Sequence, residues 1–421
     1  MIIGRLVSLF GQRILATIVA LWVVAIAGSP VVVAAQPDST WVALSPLPNQ
    51  PRSALFALAV DPFSSQLVIA GDARGSLFRT TNGGASWTSV HSGKSSISTI
   101  AFSPSTQGVV LAGTRGAGVL LSRDSGATWT AARGLDGRTV RTFAFALTLV
   151  AAGTDHGVYV SADNLSWSQS GLANRNINAL AVEAIHTPVR LIAGGDSPSS
   201  GSSLPLFESL DGGATWKQIG PAISGTIAVR LVSGPLPPTG NVRPLLLGTN
   251  TGLFQSRDNA ATFTPLSGGG LLPTTDYTQA DFITVHYDHF YVASDGGGSG
   301  SGGLWRTNNA GQMFASLRPP EASITGLAVS NDEKPILYVA TFRPSSHTAA
   351  LWAYHDTGGT PQGPRGTASP VASGARATDL GNRSLVGELL ASPQLPYIGL
   401  GLGALAVIFT AIAAHLRGRY R

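Results

Sequence analysis

Short runs that are apolar at every second position, or apolar throughout, recur along most of the chain. An early group reads ALFALAVDP (54–62), QLVIAGDA (66–73) and SLFRTT (76–81). ISTIAFSPS, GVVLAGT and GVLLSRD follow the same scheme. Further on come INALAVEA, RLIAGGD and LFESLDG, then TIAVRLVSG, PLLLGTN and GLFQSRD, then DFITVHYD, FYVASDG and GLWRTNN. Period-two alternation over such lengths, bounded by Gly, Pro, Asn, Asp and Ser, predicts β-strands joined by tight turns.

One turn pattern repeats after every third run. It reads TTNGGASW (80–87), SRDSGATW (122–129), SADNLSW (161–167), SLDGGATW (209–216), SRDNAATF (256–263) and TNNAGQMF (307–314). Its aromatic residues are spaced 42, 38, 49, 47 and 51 positions apart. Those periods suit four short strands per unit, the size of a propeller blade. Each residue of the turn has a physical reason. The opening Ser or Thr offers a hydroxyl to a backbone group. The Asp or Asn two positions on accepts from N–H groups ahead of it. Glycine supplies a positive φ that other residues reach only at a cost. The final Trp or Phe starts the next strand and turns inward against the neighbouring sheet.

The pattern S-x-D-x-G-x-T-W resembles the Asp-box, or BNR repeat, of sialidase-like propellers. Similar repeats occur in sortilin-type receptors, xyloglucan-degrading hydrolases and photosystem II assembly-factor-like proteins. The resemblance covers roughly Trp41 to Asp356 and implies an all-β propeller. In these families the Asp-box lies away from the active face. The resemblance therefore implies structural work for Asn82, Trp87, Asp124, Trp129, Asp163, Trp167, Asp211, Trp216, Asp258, Phe263, Asn309 and Phe314.

A seventh unit begins with ITGLAVSND, ILYVATF and ALWAYHD but lacks a fourth strand. Before the first unit stands STWVALSPLP, whose TW matches the close of the repeated turn. Thr40 to Leu44 is expected to supply the missing outer strand and close a seven-bladed ring, with six or eight blades as alternatives.

The ends of the chain have another character. Arg5 and Arg13 precede an apolar run from Ile14, and small residues follow to VAAQ. Residues 1–35 are expected to be a secretory signal, cut after Ala35 or Ala27, or an uncleaved signal anchor. Residues 395–414 form 20 positions without a charge. That length spans a hydrocarbon core of about 30 Å as a helix. Residues 415–421 carry Arg417, Arg419 and Arg421, a basic tail expected on the cytoplasmic side. Residues 357–394, rich in Gly, Pro, Ser and Ala, are expected to form a flexible stalk. The propeller, residues 38–356, is then expected outside a cell membrane that the chain crosses once.

Charge narrows the partners. The net charge is +5, yet Arg5, Arg13, Arg417, Arg419 and Arg421 account for it, leaving 22 basic against 22 acidic residues. A neutral middle lacks the basic stripe that a phosphate backbone requires, so no nucleic acid is expected. The chain has no cysteine, which excludes disulfides and thiolate metal sites. Neither a metal nor a cofactor is expected.

The turns between second and third strands (B–C), with the links between blades, fall on the face opposite the repeated turns. Polar residues there are Asp72, Arg74, Arg115, Asp155, His156, Asp196, Asn250, Asp295 and Arg343. Such a ring suits a ligand at the central mouth. Glycoside hydrolysis needs two carboxylates about 5–10 Å apart, and four of these residues are acids. A sialidase would also bring an arginine triad with an RIP-type motif, and none appears. The xyloglucan-degrading type uses a cleft between two propellers, and this chain has length for one.

HYDH (286–289) offers two imidazoles and a carboxylate at a predicted strand end. DGGGSGSGG (295–303) fits a B–C loop better than a phosphate cradle. LPPTG (236–240) matches a sortase signal but lies between strands. The sequence therefore favours a non-enzymatic module for a protein or glycan. A glycoside hydrolase and an assembly factor for a membrane complex are the alternatives.

Overall fold

A computed structural model describes residues 40–358 except 49–51, 184–187, 198–202, 221–222, 273 and 298–300. The signal segment, the stalk and the apolar run at 395–414 lie outside these residues. No helix among the described residues is long and apolar enough to cross a membrane.

Seven four-stranded antiparallel sheets follow one another along the chain. In blade 1 the strands are Ala57–Asp61, Ser64–Gly71, Ser76–Thr80 and Thr88–Ser92, lettered A to D outward from the centre. The A strands of successive blades touch one another around the ring, so they form its inner wall. The B strands are the most deeply buried. Val110–Thr114, Val150–Thr154 and Leu245–Thr249 are buried at all five positions, each covered on both faces by neighbouring sheets. The core is accordingly shared between blades. Val68 and Phe78 of blade 1 pack with Tyr338 and Leu351 of blade 7.

Blade 7 is composite. Its A to C strands are Ile324–Val329, Ile336–Arg343 and Thr348–His355, and its D strand is Trp41–Ala43 from the other end of the chain. Trp41 pairs with Tyr354 and Ala43 with Trp352. The closing strand is thus where the orphan TW placed it, and no open sheet edge is left between first and last blades.

The repeated turns have one geometry. In blade 4, Ser209 Oγ accepts from Gly213 N at 2.7 Å, and Asp211 Oδ1 accepts from Thr215 N at 2.8 Å. Thr215 Oγ1 donates to Asp211 Oδ2 at 2.6 Å. Gly213 has φ +98°, and an added Cβ would run into Ser170 Oγ of blade 3. The equivalent acceptors Asn82, Asp124, Asp258 and Asn309 take the N–H four residues on, from Ser86, Thr128, Thr262 and Met313. The shorter turn of blade 3 does the same with Leu165 N and Ser166 N on Asp163. Trp87, Trp167, Phe263 and Phe314 are buried, whereas Trp129 and Trp216 are half-buried.

A second device links the blades. Each blade donates a side-chain hydrogen bond to a carbonyl that follows strand C of the next, within the repeated turn in every case except blade 7. Arg79 Nε reaches Ser125 O, Arg123 Nη2 reaches Asp163 O, and Ser170 Oγ reaches Gly213 O. Arg190, Arg257 and Arg306 reach Asn259 O, Ala310 O and Gly358 O, and Ser45 reaches Ala85 O across the seam. A guanidinium suits this place because its fork of donors satisfies several acceptors at once.

Candidate functional site

The B–C end carries the polar residues that the sequence nominated, and most are engaged with their own loops or with the link from the preceding blade. Asp72 is buried, and its Oδ1 accepts from Arg74 N and Ser76 N at 2.9 and 2.8 Å. Asp155 Oδ1 accepts from Thr139 N on the link between blades 2 and 3, and lies 3.5 Å from His156 Nδ1. Asp196 accepts from the amides of Asn176 and Asn178 at 2.6 and 2.8 Å. Asn250 Oδ1 accepts from Thr226 N and Ile227 N, and its amide donates to Thr226 Oγ1. Asp295 Oδ1 accepts from Gly297 N. Arg343 pairs with Glu321.

These residues serve two ends. Asp72 and Asp295 accept N–H groups of their own B–C loops, whereas Asp155 and Asn250 accept backbone N–H groups of the preceding interblade link and Asp196 accepts side-chain amides from that link and the strand it enters. Sequence reasoning marked these positions as polar but could not show their partners. Asn176 and Thr226 lie some 20 residues before the side chains that they meet. Arg74, Arg115 and His156 remain exposed on this face.

Between blades 3 and 4 the same end holds a recess of about 450 Å³, lined by Asn174, Arg175, Asn176, Asp196 and Ser197. Asn174 adopts φ +65°, which an Asn tolerates better than most residues. The Arg175 guanidinium stacks 4.7 Å from the centre of the Phe207 ring, which fixes the cation at the rim. Amides, one cation and one carboxylate make a surface for hydrogen bonding. Arg175, Asn174 and Phe207 escaped the sequence reading, although "LANRNIN" (172–178) concentrates amides around an arginine.

The opposite end differs. Asp281 on strand A of blade 6 (Gln279–Phe282) lines a cavity of about 450 Å³ with Ser233, Arg243 and Thr284. Burial pushes the Asp281 carboxyl up to about 6, while Arg230 on the neighbouring inner strand pulls the other way. Burial in turn lowers Arg230. Asp281 is the one carboxylate among the residues lining this cavity, which falls short of the two cooperating carboxylates that glycoside hydrolysis uses.

HYDH requires a correction. The strand ends at Phe282, and His286 to His289 form the A–B turn, with His286 N on Ile283 O and His289 N on His286 O. Alternation along a strand therefore does not apply to them. The imidazole rings lie 6.3 Å apart, and burial lowers the pKa of His289. No group of three His, Asp or Glu positioned for a metal ion occurs among the described residues. DGGGSGSGG does join strands B and C of blade 6, and LPPTG does lie between strands A and B of blade 5.

No family model and no curated protein matches the chain in sequence. Solved structures do. The chain is similar to U3-55K at 12% identity and TM-score 0.55, over 76% of this chain and 99% of that one. It is similar to YCF48 bound to D1 peptide at 15% identity and TM-score 0.52, over 76% and 98%. An ancestral GH74 enzyme matches at 17% identity and TM-score 0.46, and the chain spans 55% of that enzyme's length. At such identities the likeness shows the β-propeller fold alone.

Proposed function

We propose that this chain is a non-catalytic binding or scaffolding propeller, held outside a cell membrane by its C-terminal apolar segment, and that its ligand is a segment of another protein or a glycan. One observation carries the reading. The B–C acids that would serve hydrolysis already accept hydrogen bonds, Asp72 and Asp295 from their own loops, Asp155 and Asp196 from the preceding interblade link and the strand it enters. The recess beside them presents amides and one stacked cation. Such a surface suits hydrogen-bonding recognition better than acid–base chemistry.

The recess around Arg175 and Asp196 is the contact point we assign to the ligand, with Arg74, Arg115 and His156 on the same face. That a YCF48 propeller has been solved with a peptide is in keeping with this use. The repeated turn fits the Asp-box pattern, and on this reading it serves the ring rather than the ligand.

A glycan array and an extended-peptide library, applied to the whole protein in detergent, test the proposal. Binding that Arg175→Ala and Asn174→Ala both weaken, with the melting temperature unchanged, supports it. Binding indifferent to these changes refutes the assignment of the recess.

A further inference from the structure

The strand that closes blade 7 joins the ring but covers only part of its neighbour. Strand C, Thr348–His355, has eight residues, whereas strand D, Trp41–Ala43, has three. Those three pair with Trp352, Ala353 and Tyr354. Leu44 N adds one bond to Leu351 O, and the chain then leaves the sheet. Ser45 turns to blade 1, its N–H on Gly84 O and its hydroxyl on Ala85 O. In the register of the pairing, Pro46 would stand opposite Ala349, and a proline has no N–H to donate.

Backbone direction follows from the same register. Residues two apart on an antiparallel strand turn their N–H and C=O to the same side. Leu351 O faces strand D, so the N–H and C=O of Ala349 face that way too. Neither group meets a backbone partner among the described residues. The usual protections of a strand edge are missing here. Strand C carries no Pro, Lys, Asp or Glu. It pairs with strand B at all eight positions with no shift of register, so no bulge twists it away.

Beside this stretch lies a groove of about 1330 Å³ between strand C and the departing segment. Its floor is apolar, with Leu47, Leu55 and Leu351 all buried. Arg52 stands exposed at its rim, and no carboxylate is among the described lining residues. From the uncovered backbone at Ala349 and the unopposed charge of Arg52 we infer that an extended, acid-bearing segment of another protein binds here as an added strand. Its backbone pairs with Ala349, its apolar side chains sit over Leu47 and Leu351, and its acid faces Arg52. A glycan lacks the N–H and C=O repeat that matches a strand edge, so the occupant is a peptide. The open stretch from Thr348 to Leu351 takes about four of its residues. This contact is separate from the recess between blades 3 and 4 and goes beyond it.

An array of eight-residue peptides, offered to the full-length protein in detergent, tests the inference. Every second residue is Val or Thr, and the residues between are Glu in one set and Lys in the other. The Glu set should bind and the Lys set should fail. Arg52→Glu, a change at an exposed position, should weaken the Glu set about fivefold and let the Lys set bind. Methylating the backbone nitrogens of a bound peptide keeps its charges and removes its donors, and should abolish binding. Arg175→Ala, in the recess, should leave the Glu set unaffected, so either site can fail alone. Binding by neither set, equal binding by both, or binding that survives N-methylation overturns the inference. So does loss of the Glu set in Arg175→Ala.

Discussion

Trp41 and Tyr354 meet at the seam of the ring, their ring centroids 4.9 Å apart, on residues that pair across the closing sheet. Trp41 Nε1 also donates to Leu317 O of blade 6 at 2.8 Å, so one side chain ties the two strands of the seam to a third segment. A closed ring buries its sheets only if first and last blades are joined. The seam therefore bears on the stability of the whole domain.

Trp41→Ala removes a buried indole and its hydrogen bond. We expect a loss of about 3–5 kcal/mol, the usual cost of emptying a large aromatic site. Urea denaturation checks it, and Val42→Ala, at a half-buried position of the same strand, should cost much less.

Asp356 and Arg306 form a buried ion pair at the chain exit. Asp356→Asn leaves the guanidinium without its charge partner and is expected to cost about 3–5 kcal/mol. The triple change Arg306→Met, Asp356→Leu and Tyr291→Phe, which also removes the buried hydroxyl that donates to Asp356, should recover much of that loss. Thermal melting of both variants checks this, and an equal loss in the triple variant contradicts it.

The repeated turns predict a pH dependence. The hydroxyl and N–H of Thr215, with the Ser209 hydroxyl, hold the Asp211 carboxyl at about 2, below its ordinary 3.8. A lowered folded-state value stabilises the fold above the ordinary value, and that contribution is lost as pH falls from about 4 to 2. Denaturant midpoints should decline in this window. Asp211→Asn, which keeps an acceptor but no charge, should flatten part of the decline.

These elements were legible in the sequence to different degrees. Hydroxyl, acid and ring recur within eight residues, and local hydrogen bonding decides their geometry, so the blades and the composite seventh sheet were readable. The B–C acids were readable as polar but not as structural, because Asp196 and Asn250 meet partners brought in by another blade's link. HYDH was expected at the end of the DFITVHYD strand, but the backbone turns after Phe282. The interblade arginines were missed, although Arg123 and Arg257 each sit directly after the serine that opens a turn. Their acceptors are carbonyls, which leave no mark on residue identity.

Asp72→Ala gives a sharper prediction on the B–C face. Its buried carboxylate serves two N–H groups, so the change should cost about 1–3 kcal/mol. Ligand binding at the recess, measured below the melting temperature, should be unaffected.

The central claim, that the B–C acids hold loops rather than cleave glycosidic bonds, is tested most directly by turnover. A panel of chromogenic glycosides would be offered to the parent protein and to Asp155→Ala and Asp196→Ala. The account predicts no turnover by any of the three, with lower melting temperatures for both variants. Turnover by the parent that either substitution abolishes, without a change in melting, would contradict it.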